Sequence, residues 1–384
     1  MVKKRICILG STGSIGRQAL EVIACFPDYF QVVGLGAGEN LALLVAQIKR
    51  FEPKIVSLAD GSKAKILENR LSSKIKIVSG EAGLWELATD NRAELILIAI
   101  SGAVGLKPIL GAISSGKEIA LANKEPMVMA GNLIMERAKS KGVKILPIDS
   151  EHSAIFQLLD KRNKEEVERV VLSASGGPFL RRHKRELKKV SVSDALNHPT
   201  WKMGKKISVD SATLMNKSLE LIEAKWLFGL KPEQLEVVIH PESIVHSLIM
   251  LKDGSVFAHL SVPDMRIPIA YALFYPKRMC IDFPRLDLTK VGRLNFEKPD
   301  MKRFPALKLG YRALQVQGSL PIVMNAVNEE AVNAFLLGKI GFNRIMELVE
   351  KVMEEHKVIE PSRIEKILEI DSWARNRTKE LVNG

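Results

Sequence analysis

The run Ile6-Cys7-Ile8-Leu9-Gly10-Ser11-Thr12-Gly13-Ser14-Ile15-Gly16 decides the fold. Its apolar start reads as a buried strand and its glycines as a tight turn. From Ser14 onward the spacing is helical, with Ile15, Ala19, Val22 and Ile23 on one face. Strand, glycine turn and helix in that order let the backbone approach a pyrophosphate while the helix N-terminus offers N–H groups and a positive dipole end. The spacing is GxxGxxG rather than the commoner GxGxxG, and an ordinary glycine-rich turn shares it.

Working outward, short apolar runs at residues 30–35, 54–58, 74–78, 95–100, 117–122 and 143–148 alternate with helix-like segments. That alternation predicts a mostly parallel sheet with helices on both faces, and a cofactor at the carboxyl ends of its strands. Asn123-Lys124-Glu125 sits at such an end, before Pro126, and its polar groups are placed to reach nicotinamide or substrate. A polar turn with proline at the first helical position is the competing explanation. After the second strand the turn reads Gly36-Ala37-Gly38-Glu39-Asn40, and a carboxylate there argues for NADH.

The last of those runs leads into Pro147-Ile148-Asp149-Ser150-Glu151-His152. If the strand continues, Asp149 and Glu151 point to the same side, and two hard oxygen ligands suit Mg²⁺ or Mn²⁺. The same residues would also serve as a helix cap and an acidic first turn. Downstream, residues 161–168 read as a charged helix and 170–172 as a strand, before the loop Ser173-Ala174-Ser175-Gly176-Gly177-Pro178-Phe179. Small hydroxyls among glycines suit a phosphate, and equally a plain turn. Asn197-His198-Pro199-Thr200-Trp201-Lys202-Met203-Gly204 is expected to be irregular: a flap closing over substrate, or a loop anchored by its tryptophan. A helix entered from Ser211 and ended by Gly229 puts Asn216, Lys217 and Glu220 on one face. Lys217 and Glu220 are a routine exposed ion pair unless Glu220 faces Asp149 and Glu151, in which case three carboxylates share one metal.

Length and composition bound the rest. A chain of 384 residues predicts two or three domains. Its net charge of +13 is spread along the chain without a nucleic-acid motif, so small phosphorylated substrates and dinucleotides are the expected partners. No apolar run is long enough to cross a bilayer, no secretory or transit segment is expected, and the scattered Cys7, Cys25 and Cys280 fit a reducing cytoplasm. Residues 235–239, 244–251 and 256–262 read as strands, 276–305 as a connection, and 305–381 as a small helical bundle broken near Gly318, Gly338 and Pro361. From the residues alone, a nicotinamide-dependent dehydrogenase with structural carboxylates and a non-catalytic nucleotide sensor remain as alternatives.

Several long motifs in fixed order resemble the 1-deoxy-D-xylulose 5-phosphate reductoisomerases: GSTGSIG at Gly10, ANKE at Ala122, DSEHSAIFQ at Asp149, SGGPF at Ser175, HPTWKMGKKISVDSATLMNK at His198 and VPDMRIPIAYAL at Val262. The resemblance implies an α/β chain: a Rossmann-like doubly wound domain (1–149), an α+β catalytic domain with a flap and a sheet used in homodimerisation (150–285), a linker (286–304) and a helical domain (305–384). It implies that Asp149, Glu151 and Glu220 hold Mg²⁺ or Mn²⁺, and that Ser150, Ser175, His198, Ser211, Asn216 and Lys217 contact a phosphosugar. Lys124, Glu151 and Glu220 would meet the same substrate, with Lys124, Glu151, His198 and Lys217 nearest the chemistry. The cofactor would be lined by Thr12, Gly13, Ser14, Ile15, Gly38, Glu39, Asn40, Asn123, Glu125 and Gly204. The family usually carries lysine or arginine where this chain has Glu39. NADPH is still expected from the rest of the motif, with NADH left open by Glu39. The implied reaction rearranges 1-deoxy-D-xylulose 5-phosphate and reduces the branched aldehyde to 2-C-methyl-D-erythritol 4-phosphate.

Overall fold

The computed structural model describes residues 2–70, 74–160 and 162–384. In chain order the elements begin with β1 (Lys4–Leu9), α1 (Ser14–Cys25), β2 (Phe30–Ala37), α2 (Leu41–Phe51), β3 (Ile55–Leu58), α3 (Gly61–Glu68), β4 (Lys76–Ser79) and α4 (Gly80–Thr89). They continue with β5 (Leu95–Ile98), α5 (Leu106–Ser114), β6 (Glu118–Leu121), α6 (Glu125–Lys141), β7 (Ile145–Pro147), α7 (Ser150–Leu159), β8 (Val167–Ala174), α8 (Val192–Leu196), α9 (Lys205–Thr213) and α10 (Met215–Phe228). The chain closes with β9 (Leu235–Ile239), β10 (Val245–Leu251), β11 (Val256–Leu260), α11 (Arg266–Phe274), α12 (Leu288–Val291), α13 (Ala306–Val316), α14 (Leu320–Leu336), α15 (Phe342–Glu355) and α16 (Ile364–Asn383).

Two compact units form. The first comprises Met1–Pro126, Asn132–Ser150 and Asp264–Phe283. Its sheet has the order β4-β3-β2-β1-β5-β6-β7, and every neighbouring pair is parallel. A parallel sheet covered by crossovers is apolar throughout, and Leu95, Ile96, Leu97 and Ile98 of β5 are all fully buried. The order reverses direction between β1 and β5, so the β1–α1 turn lies at the switch point where such sheets bind ligands. Far along the chain, α11 returns to this unit. Phe274 packs edge-on against Phe26, Tyr29 and Phe30, with ring centroids 4.8, 5.5 and 4.7 Å away.

The second unit comprises Met127–Gly131, Glu151–Pro263 and Pro284–Gly384. Its sheet runs β11-β10-β8-β9, antiparallel except for the β8–β9 pair. Helices α13 to α16 also belong to it, and the rings of Phe179 and Phe342 meet edge-on at 5.0 Å.

Three local expectations are corrected. Of the charged helix expected over 161–168, Lys161 lies outside the described residues. The remainder makes one turn at Lys164–Glu166 and then β8, where Arg169 pairs across to Glu236 at 2.7 Å. β7 stops at Pro147 and α7 starts at Ser150, so Glu151 occupies a helix's first turn and the strand alternation does not apply. Finally, Ser211 does not open the helix that carries Lys217. It lies near the end of α9, and Leu214, with φ 63°, breaks the chain before α10.

Candidate active site

In the first unit, the glycine turn is shaped by backbone contacts. Gly10 has φ +92°, and a Cβ there would lie 2.3 Å from the Ala99 carbonyl oxygen. A Cβ on Gly16 would lie 2.2 Å from the Gly10 oxygen, so only glycine lets α1 pack this closely on its own turn. The Gly10 and Ser11 N–H groups both donate to Gly36 O, at 2.9 and 2.8 Å. Gln47 of α2 fixes the turn from the other side: it accepts from Ser11 Oγ and donates to Ser11 O, both at 2.8 Å. Gly13 is the N-cap of α1, and no side chain caps that helix, which suits an anion at its N-terminus. Thr12, Gly13, Ser14 and Ile15 therefore lie at the switch point. Gly38, Glu39 and Asn40 follow the adjacent β2, where Asn40 accepts from Leu43 N–H at 3.1 Å and caps α2.

At the end of β6, Asn123 is buried and donates to Gly102 O at 3.3 Å and to Glu125 Oε2 at 2.5 Å. Its Oδ1 has no partner. Lys124 N-caps α6, and its buried Nζ donates to Asp149 Oδ2 at 2.5 Å. All of these residues belong to the carboxyl edge of one sheet.

In the second unit the candidate groups are side chains. Lys217 Nζ donates to Glu151 Oε1 at 2.7 Å and also to Glu220 Oε2. Asn216 Nδ2 donates to Glu220 Oε1 at 2.6 Å, and Glu220 is fully buried. The pair is therefore not the exposed i,i+3 contact open from sequence. Two carboxylates from α7 and α10 converge on one ammonium. His152 braces them: its Nε2 lies 3.1 Å from Glu220 O, and its Nδ1 lies 3.6 Å from Glu223 Oε2. The Ser247 hydroxyl donates to Glu151 O at 3.1 Å.

Residues 197–204 form no helix or strand. Within them, His198 Nδ1 accepts from the Thr200 and Trp201 N–H groups at 3.1 and 2.9 Å. A neutral imidazole with Nδ1 as acceptor carries its proton on Nε2, which therefore donates to Ser175 Oγ at 2.9 Å. Burial pushes the His198 pKa down to about 4, which keeps the ring neutral. The Gly177 N–H also donates to Ser175 Oγ, at 3.2 Å. A hydroxyl accepts two hydrogen bonds and donates one, so the Ser175 O–H is left to donate. Gly177, at φ +69°, packs on α9 so tightly that a Cβ would sit 2.6 Å from Ser211 O. Gly204 is the N-cap of α9 and belongs to the second unit.

Gln47, His152 and Gly177 were not singled out from sequence. Gln47 and His152 act through partners distant in the chain, whereas Gly177 acts on Ser175 two residues away, and the glutamine in the apolar run of α2 gives a local signal.

The family model described as 1-deoxy-D-xylulose 5-phosphate reductoisomerase matches residues 6–131. The models for the C-terminal domains of these enzymes match residues 145–228 and 260–377. A 1-deoxy-D-xylulose 5-phosphate reductoisomerase of Geobacter sp. (strain M21) is 50% identical over 380 residues, 99% of each chain. The Zymomonas mobilis reductoisomerase, solved in complex with NADPH, is 42% identical with a TM-score of 0.92 over 99% of both chains. A DOX-P reductoisomerase solved with NADPH, fosmidomycin and magnesium is 38% identical with a TM-score of 0.93, covering 99% of this chain and 98% of that one. By these matches along its whole length, the chain belongs to the 1-deoxy-D-xylulose 5-phosphate reductoisomerase family.

Proposed function

We propose that this chain converts 1-deoxy-D-xylulose 5-phosphate to 2-C-methyl-D-erythritol 4-phosphate, using NADPH and Mg²⁺ or Mn²⁺, in the formation of isoprenoid precursors. The relatives solved with NADPH, fosmidomycin and magnesium support this reading. The observation in this chain that carries it is the convergence of Glu151 and Glu220 on a single buried cation, Lys217.

The donor sets fit both groups. Asp149, Glu151 and Glu220 offer only hard oxygens, which suit a small divalent ion. The uncapped N-terminus of α1, approached through Gly10 and Gly16, fits a pyrophosphate. When bound, the divalent ion supplies Lewis-acid polarisation of the substrate oxygens, and the nicotinamide supplies the hydride. The protein's own groups bind and orient. The outward O–H of Ser175 donates to the substrate phosphate, and His198 and the Gly177 N–H fix that direction. Ser150, Ser211, Asn216 and Lys217 complete the phosphosugar contacts. Asn216 and Lys217 also hold Glu220 in place. Lys124, seated on Asp149, donates a hydrogen bond where negative charge develops on the substrate. The segment 197–204 covers the reactants, with Trp201 excluding water.

We further assign a homodimer formed through the second sheet. Its edge strand β11 exposes Val256 and Phe257, and an exposed apolar edge favours pairing with another chain. Three free thiols support a cytoplasmic setting. Among the described residues, no helix is long and apolar enough to cross a membrane.

The test is NADPH oxidation with 1-deoxy-D-xylulose 5-phosphate, with and without Mg²⁺ or Mn²⁺. Metal-dependent turnover is expected. Dinucleotide binding without turnover of this substrate would favour the sensor.

A further inference from the structure

The turn after β2 carries the carboxylate Glu39 and no basic residue. In a doubly wound sheet the adenosine ribose lies beyond the end of β2, and a carboxylate in that turn matches a free hydroxyl rather than a phosphate. Here the neighbouring crossover supplies the missing charge. β3 lies beside β2, and the Ala59 N–H donates to Ala37 O at 3.0 Å, which brings the start of α3 level with the turn. Lys63, half-buried in the first turn of α3, donates from Nζ to the Glu39 backbone oxygen at 3.3 Å. An ammonium has three donors, so two of them are not used by this bond.

The other charges around it are disposed to leave this cation available. Asp60, the N-cap of α3 on the same crossover, is held chiefly by Ser62, with Lys63 a lesser electrostatic partner. Its Oδ1 accepts from Ser62 N at 2.7 Å and from Ser62 Oγ at 2.6 Å. Lys63 meets the backbone oxygen of Glu39, and the Glu39 side chain is exposed. A Cβ built on Gly38 meets nothing within 4 Å, so the turn borders open space.

We infer that Lys63 is the specificity-determining cation of the dinucleotide site, taking the 2′-phosphate of NADPH in place of a basic residue at position 39. The inference rests on the reading of the cofactor as NADPH. It also assigns Glu39 a role opposed to binding: its carboxylate weakens the phosphate contact that Lys63 makes.

The experiment measures dissociation constants of the full chain, without substrate or metal, for NADPH and NADH. The fragments 2′,5′-ADP and 5′-AMP serve as competitors that differ in the same phosphate. Lys63→Met keeps the aliphatic stem and removes the charge. It should weaken NADPH and 2′,5′-ADP about tenfold, as loss of one charge-assisted hydrogen bond does, and leave NADH and 5′-AMP within about twofold. Lys63→Arg should retain the preference, and Glu39→Gln should tighten NADPH alone. An unchanged ratio of NADPH to NADH affinity in Lys63→Met overturns the inference while leaving the proposed reaction intact, as does equal weakening of both dinucleotides. If the unaltered protein binds neither dinucleotide, the NADPH reading itself fails and the inference falls with it.

Discussion

The glycine turn of the first unit and the carboxylate cluster of the second are built by opposite means. Around Gly10 and Gly16 the chain removes side chains so that α1 can pack closely on its own turn, and its precision comes from the absence of Cβ atoms. Around the half-buried Glu151 it buries the charged side chains of Lys217 and Glu220, which are stable only while each has its partner. The first arrangement fails when something is added, the second when something is taken away. That contrast also ranks the consequences of mutation, because an unpaired buried charge costs more than a displaced loop.

The largest effect is expected from Glu220→Gln, which keeps the shape and removes one charge. Turnover should fall by about a hundredfold or more, while NADPH affinity, set in the other unit, stays within about twofold. Steady-state kinetics beside a dinucleotide titration check this, and undiminished turnover would remove Glu220 from the metal ligands. Gly16→Ala inverts the pattern. A methyl group placed 2.2 Å from the Gly10 oxygen should cost roughly 1–3 kcal/mol of stability and should weaken NADPH, without altering the metal dependence of whatever turnover remains. Thermal unfolding with and without NADPH separates the two effects. A smaller effect is expected at the phosphate loop, where Ser175→Ala should raise KM for the phosphosugar about tenfold and change kcat little, as loss of one hydrogen bond to a charged group does.

His198 refines the comparison through pH. Its folded pKa of about 4 lies below the ordinary 6.5, so the folded protein favours the neutral ring. The stability this provides is fully present above about pH 6.5 and is lost as pH falls through that value towards 4. Unfolding curves across this range should therefore be steeper in acid for the parent than for His198→Asn, and the imidazole signals of His198 should stay unshifted to well below pH 6. A ring that titrates near its ordinary value would release Ser175 from its donor role.

Backbone constraint made the first unit legible in sequence. Only glycine tolerates the positions of Gly10 and Gly16, and strands buried on both faces read as plain apolar runs. The face shared by Asn216, Lys217 and Glu220 was legible for the same geometric reason, since helical spacing is local. Their burial was not, because it depends on α7 packing beside α10. The break at Leu214 was also hidden: a leucine at φ 63° has no sequence signature, unlike Gly229 at the other end of α10. The neutral state of His198 depends on two backbone N–H groups whose directions no motif records. The resemblance to a known family supplied roles for these side chains that spacing alone left open.

The return of α11 to the first unit has a consequence for synthesis on the ribosome. Residues up to Ser150 can form the seven strands while Phe26, Tyr29 and Phe30 still lack the ring of Phe274. Until more than a hundred further residues have emerged, the nascent nucleotide-binding unit carries an uncovered aromatic patch. Folding order in this chain is therefore not domain by domain along the sequence. The second unit is partly translated before the first is closed, and a fragment cut after Ser150 would retain that patch as a surface for aggregation.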